Sequence, residues 1–264
     1  MGKFLQKLLG RKLFYSLKYS QLFSAYEKIF RHGNVVRQQK ELALYKSFLP
    51  ECNLIFDIGA NDGHKTVAFL QTCKKVVCCE PDEQNFQLLQ IRFRNYKRKL
   101  ILLKKAVSDH IGEAILQVHH AGSAFNTLNQ KWASLLEEQG EKYWNERIHF
   151  RSKQAVQLTT LNELIEQYGQ PDFIKIDVEG SELQVLSGLN QKINWISFES
   201  FLPEFRDELL GCINHLQQLD ANTKYNLIAD EKILLENFMS SQQLIEWLDK
   251  SDLKAFEVLA RQSE

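Results

Sequence analysis

The chain has 264 residues, 44% of them hydrophobic and 25% charged, enough for one α/β domain with a substantial core plus an appendage. Five cysteines without a Cys-x-x-Cys pair argue against a disulfide framework and a zinc site, and buried thiols in a reducing, cytoplasmic compartment are expected instead. The net charge is zero, yet residues 1–50 hold ten Lys or Arg against only Glu27 and Glu41, so they carry +8 and the remainder −8.

Within the first segment Lys3, Lys7, Arg11 and Lys18 fall on one helical face, and Leu5, Leu9, Leu13 and Phe23 project from the other. Residues 1–50 are therefore expected to form a basic amphipathic helical extension of a domain spanning 51–264. Two uses of it are open: a helical cap packed on the domain, or peripheral membrane contact through residues 1–32. No run reaches the roughly 18 apolar residues of a spanning helix, and the charges recur every turn, which argues against a span or a cleaved signal peptide. A myristoylation signal is incomplete, because position 6 is Gln where Ser or Thr is needed.

Asn53 to Gly63 reads as a buried strand running into a glycine-rich turn. Leu54, Ile55, Phe56 and Ile58 make a short apolar run with Asp57 near its end, and His64 to Leu70 continues with helical character. Gly59 and Gly63 permit a sharp turn and close approach to a ligand. The spacing is Asp-x-Gly-x-x-x-Gly, with Asn61 where a dinucleotide fingerprint needs glycine. That fingerprint sets a helix N-terminus against a pyrophosphate and has no use for further negative charge. Asp57 and Asp62 suit instead a ligand with cationic groups and sugar hydroxyls, as S-adenosylmethionine has.

The run Lys75 to Cys79 is a second strand, ending on Glu80 and on Pro81, which cannot continue a central strand. Glu80 lies 17 positions after Gly63, close to the roughly 20-residue offset at which α/β nucleotide sites set an acid against ribose hydroxyls. Cys78 and Cys79 are expected on opposite sides of this strand.

Asp82 to Arg94 follows as a helix with Asp82 as N-cap, then Leu100 to Val107 as a strand ending at Ser108 and Asp109. Gly112 to His119 alternates as a further, edge-like strand. His119 and His120 are adjacent, so in an extended strand they point apart, and no metal site is expected. Residues 121–153 are the least regular, with Trp132, Tyr143 and Trp144; they either cover the site or form a surface excursion. Ala155 to Leu158 resumes as a strand, and Thr159 or Thr160 caps a helix to Tyr168 that Gly169 and Pro171 close.

The second dense motif runs from Asp172 to Glu182. A strand ends at Asp177, turns through Gly180 and enters a helix from Glu182 to Leu189. Ligands of open parallel sheets gather beyond the strands' carboxyl ends, so Asp177 and Glu179 should share a crevice with Asp57 and Glu80. Two neighbouring acids, with Lys175 two residues before, could tune one carboxylate toward general-base strength; alternatively Asp177 only caps the turn or positions substrate. Trp195 to Glu199 is a further strand ending on an acid at the same side. Strands at Tyr225 to Ala229 and Phe256 to Ala260, around a helix from Gln242 to Leu248, close the chain.

Taken together, Phe56 to Gly63, Cys79-Glu80-Pro81, Lys105 to Asp109, Thr160 to Ile165, Ile174 to Gly180 and Ser197-Phe198-Glu199 resemble the FkbM family of S-adenosylmethionine-dependent methyltransferases over about residues 50–264. Asn162 departs from the Asp the family more often has, away from the cofactor motifs. The resemblance implies an α/β class I, Rossmann-like fold with a seven-stranded sheet and helices on both faces, and methyl transfer to a hydroxyl of a sugar, glycan or other small molecule. It implies that Asp57, Gly59, Asn61 and Gly63 cradle the methionine portion, that Glu80 holds the ribose, and that Ser108 or Asp109 sits near the adenine. Asp177, Glu179 and Glu182 would line the reaction site. The alternatives are an NAD(P)-dependent or nucleotide-sugar oxidoreductase, opposed by the missing third glycine, and a non-catalytic module that binds the same cofactor. A nucleic-acid substrate is not expected, because the catalytic part is acidic and repels phosphate.

Overall fold

A computed structural model of the protein describes residues 10–19 and 32–263. Its strands in chain order are β1 (Cys52–Ile58), β2 (Cys73–Cys79), β3 (Leu100–Leu103), β4 (Ala106–Val107), β5 (Gly112–Val118), β6 (Ser152–Thr159), β7 (Phe173–Ile176), β8 (Trp195–Phe201), β9 (Lys224–Ala229), β10 (Lys232–Ile233) and β11 (Ala255–Arg261). The helices are α1 (Arg11–Lys18), α2 (His32–Phe48), α3 (His64–Thr72), α4 (Glu83–Arg92), α5 (Gln130–Trp144), α6 (Leu161–Tyr168), α7 (Glu182–Ser187), α8 (Arg206–Leu219) and α9 (Ser241–Leu248).

The near-continuous apolar runs of β1, β2 and β7 are those of strands buried on both faces, and these strands lie side by side and parallel. The main sheet has the order β10-β9-β11-β8-β7-β1-β2-β3, with β11 antiparallel to both neighbours. It holds eight strands rather than the seven expected, because the two-residue β10 folds back on the end of β9 as an extra edge. On one face α6, α7, α8 and α9 pack with Phe56, Ile58, Val77 and Ile174; on the other, α2, α3 and α4 pack with Ile55, Val76 and Phe173. Cys79 belongs to the first core and Cys78 to the second, as their alternation requires.

Several elements depart from the reading of the sequence. Leu100 to Val107 is two strands, not one: the chain breaks at Lys104 and Lys105, and β4 leaves the main sheet to pair with β6. With β5 these form a separate sheet of order β4-β6-β5. Residues 121–153 contain α5, started by Asn129, whose side chain accepts the Trp132 N–H. Residues 206–219, to which no element was assigned above, are α8, with Leu209, Cys212, Ile213 and Leu216 on its buried stripe. Cys52 and Cys73 are joined as a disulfide, contrary to the expected set of free thiols. Parallel register sets them opposite each other at the starts of β1 and β2, a closeness that 21 residues of separation conceal. Cys78, Cys79 and Cys212 are free and buried.

The last turns of α2 contribute Leu44, Tyr45 and Phe48 to the core, while α1 lies near α4 with Leu13 and Leu17 exposed. Lys3, Leu5, Lys7, Leu9 and Phe23, on which the amphipathic reading rests, lie outside the described residues. Among the described residues no helix is long and apolar enough to cross a membrane.

Candidate active site

Beyond the carboxyl ends of β1, β2 and β7 a cleft opens, lined by Gly59, Asn61, Glu80, Asp177, Val178 and Glu179. Its shape follows from the turn after β1. Gly59 has φ +81°, and a Cβ there would fall inside the Asp177 carbonyl, so what demands glycine is the end of β7 rather than a ligand. Gly59→Ala is expected to destabilise the fold by about 2–5 kcal/mol, from the left-handed backbone and the collision together. An unchanged urea midpoint would contradict this. Asn61, also left-handed at φ +49°, donates its N–H to Glu80 Oε2 at 2.7 Å and accepts from Asn85 Nδ2 at 3.0 Å. The Asp82 N–H binds the other Glu80 oxygen at 2.8 Å, and the Asp82 side chain caps α4. Burial pushes the Glu80 carboxyl up to about 8, against the pull of these two backbone donors.

Not every residue expected at the cofactor reaches the cleft. Asp57 sits on the same face of β1 as Ile55, accepts from Thr66 Oγ1 at 2.6 Å and stays interior, with its carboxyl raised by burial. Gly63 caps α3 and backs onto Leu89 and Phe93. Ser108 and Asp109 do not line the cleft. The pairing of β4 with β6 carries the chain away, so that the Ser108 N–H binds the Thr159 carbonyl and Asp109 pairs with exposed His110. Ala106, Val107, Leu116 and Leu128 form the apolar wall in their place.

The segment 123–128 bridges this cleft. Asn126 Nδ2 donates to Asp82 Oδ2 at 3.0 Å, and Thr127 Oγ1 donates to the Glu179 carbonyl at 2.7 Å. The space left is about 60 Å3, well under the roughly 300 Å3 of a small-molecule site, so a ligand of nucleoside size enters only if this segment moves outward. The donor and acceptor set otherwise fits S-adenosylmethionine. Glu80 keeps lone pairs for hydroxyls, the apolar wall suits a purine, and Asp177, whose carboxyl is lowered, brings negative charge for a sulfonium or an ammonium.

Glu179 also faces a second cavity, of about 360 Å3, lined by Trp132, Trp144, Phe201, Phe205, Glu182 and Glu199 among others. Its φ of +58° turns the side chain toward α5, where Trp132 Nε1–H donates to Oε2 at 3.0 Å. Burial, with the charges of Asp177 and Glu182, raises the Glu179 carboxyl to about 8. Glu182 is raised to about 7, mainly by burial, and its Oε1 accepts from the Val178 N–H at 3.1 Å, holding the turn. Burial acts most strongly on Asp177 and would raise it, but the charge and hydrogen bond of the ion-paired Lys175, which is only 1% exposed, together with Lys65 and a hydrogen bond from Glu199, outweigh burial and lower it. Glu199 is pushed well above the carboxylate range by burial and by the Asp177 charge. Lys65 at the start of α3 pairs with Glu257 beside this group. Lys65, Trp132 and Glu257 are site residues that sequence reasoning missed: Trp132 stood out only as an aromatic in an irregular stretch, and Lys65 and Glu257 gave no signal.

The adjacent histidines are also placed differently from expectation. Strand β5 ends at Val118, so His119 and His120 lie in a bend with ring centroids 4.8 Å apart instead of pointing away from each other.

A largely parallel sheet with helices on both faces and an acid at the end of its second strand defines a Rossmann-like fold, which gathers nucleotide-type ligands beyond the carboxyl ends of its strands. The family profile described as the methyltransferase FkbM domain matches residues 57–229, and the chain belongs to that family. The oxidoreductase alternative is thereby set aside. No curated protein matches the sequence. Among solved structures it is similar to a methyltransferase FkbM from Methylobacillus flagellatus KT, at 14% identity and TM-score 0.49, covering 79% of this chain and 43% of that one. It thus spans less than half of that protein's length. It is also similar to a precorrin-6y C5,15-methyltransferase from Geobacter metallireducens GS-15, at 10% identity and TM-score 0.43, covering 87% and 86% of the two chains.

Proposed function

We propose that the protein methylates a hydroxyl of a sugar, glycan or comparable small polyol, with Glu179 as the general base. The observation that carries this reading is the position of Glu179 on the wall common to the cofactor cleft and the 360 Å3 cavity. Aromatic side chains in that cavity offer apolar faces to the C–H surfaces of a sugar ring. Its carboxylates accept from hydroxyls, and each can take two.

When bound, S-adenosylmethionine supplies a methyl group on a sulfonium, an electrophile that needs only an acceptor oxygen held in line. Glu80 would hold the ribose hydroxyls. Gly59 and Asn61 would shape the turn beside the methionine portion, and Val107 and Leu128 would flank the adenine. Asp57, bonded to Thr66, acts on this site by fixing the turn rather than by touching cofactor. Between Asp177 and Glu179, the geometry favours Glu179 as base. Asp177 is tied to Lys175 and held at low basicity, whereas Glu179 faces the acceptor cavity with its pKa raised toward the working range. Glu182 positions the turn that carries Glu179.

Glu80→Ala is expected to weaken S-adenosylmethionine binding roughly ten- to hundredfold by calorimetry, the cost of losing the hydrogen bonds to both ribose hydroxyls. Equal affinity in a folded variant would remove Glu80 from the cofactor site. The acceptor class is tested by incubating the enzyme with methyl-labelled S-adenosylmethionine and matched sets of neutral sugars, sugar phosphates and aromatic amines. Label in the sugar set supports the reading. Label only in the amines would overturn it.

A further inference from the structure

The pair of histidines left outside the active site faces a third ligand. His119 Nε2 lies 3.6 Å from Glu146 Oε1, and His119, His120 and Glu146 each offer one ligand atom within 4.8 Å of the others. The backbone of His149 fixes the far side of the His119 ring: its carbonyl oxygen lies 2.9 Å from Nδ1 and accepts when Nδ1 is protonated, and its N–H, 3.1 Å away, donates to Nδ1 in the other tautomer. When Nδ1–H donates to that carbonyl, the Nε2 lone pair is directed at Glu146. A histidine oriented through its other nitrogen by a backbone carbonyl is the usual arrangement of a metal-binding imidazole. From these contacts we infer that His119, His120 and Glu146 form a binding site for a divalent transition-metal ion of the zinc class, with water as the fourth ligand.

The donor set selects the ion. Two imidazole nitrogens and one carboxylate oxygen suit Zn2+, Co2+ or Ni2+, whereas Mg2+ and Ca2+ require oxygen ligands. Bonds of about 2.0–2.1 Å in a tetrahedron set ligand atoms roughly 3.3 Å apart. The His119–Glu146 separation is close to that already, and the exposed side chains of His120 and Glu146 can rotate to close the rest. The alternative tautomer, with Nε2–H donating toward Glu146, makes an ordinary surface pair and binds no metal.

The position gives such an ion a consequence. His119 and His120 lead into the segment 123–128 that bridges the cofactor cleft, and the His119 N–H binds Asn126 Oδ1 at 3.0 Å within it. Glu146 follows α5, which supplies Trp132 and Trp144 to the acceptor cavity. A cation bound here ties together the two ends of the cover over both sites.

The test uses untagged, chelator-treated full-length protein titrated with Co2+ and followed by visible absorption. One Co2+ per chain with intense tetrahedral d–d bands, displaced by Zn2+, is expected. Because His119 is packed against its neighbours, the variants are the exposed His120→Ala and Glu146→Gln. Each should weaken Co2+ binding by at least about tenfold, the loss that even an outer partner of a metal site causes, with an unaltered metal-free unfolding midpoint. Absent tetrahedral bands, equal affinity in both variants, or thiolate charge-transfer absorption, which would place the ion on a cysteine, would overturn the assignment.

Discussion

Replacing Glu179 by Gln is expected to lower kcat/KM for methyl transfer by about 10²–10⁴-fold, the usual contribution of a positioned general base. Affinity for S-adenosylmethionine should stay near wild type. The fold should tolerate the change, because the amide oxygen still accepts from Trp132 Nε1–H and a part-buried carboxyl is replaced by an isosteric amide. The pH profile identifies the group. A base works only when deprotonated, and burial holds this one at about 8, so wild-type kcat/KM should climb with pH through about 8 and be lost below it. The Gln variant should lack that limb. An unshifted limb in Glu179→Gln would assign the titration to another group.

Lys175→Met should lower the unfolding midpoint by roughly 6–20 °C, equivalent to about 3–5 kcal/mol in a chain of this size. Lys175 is buried in the middle of the sheet and its cation is neutralised by Asp177, with Glu257 also contributing. Without it, Asp177 is a part-buried carboxylate facing Glu199, with only the more distant charge of Lys65, itself paired with Glu257, to offset it. The double variant Lys175→Met, Asp177→Leu should recover much of the loss, because removing a buried pair whole costs far less than removing one partner. Equal midpoints for wild type and Lys175→Met, measured by scanning calorimetry at pH 7, would show that the pair is not buried in solution.

The strands and turns of the sheet were legible because burial on both faces leaves an unmixed apolar signature. Gly59 and Asn61 stood out because their backbone conformations restrict residue type. Glu80, Asp177 and Glu179 were legible as acids at strand ends, where topology gathers ligands. What the sequence concealed depends on contacts between distant residues. The Cys52–Cys73 bond comes from register, the removal of Ser108 and Asp109 from the cleft comes from β4 joining a second sheet, and the shared wall at Glu179 comes from α5 docking Trp132 against it. The stripe Leu209, Cys212, Ile213 and Leu216 was readable and α8 could have been assigned from it.

The central claim is that donor and acceptor meet across Glu179, and a crystal structure with S-adenosylhomocysteine tests it most directly. The account predicts ribose hydroxyls on Glu80, the base beside Val107 and Leu128, the segment 123–128 displaced outward, and the sulfur turned toward Glu179. Adenosine bound instead between Trp132 and Trp144, with Glu80 untouched, would contradict it.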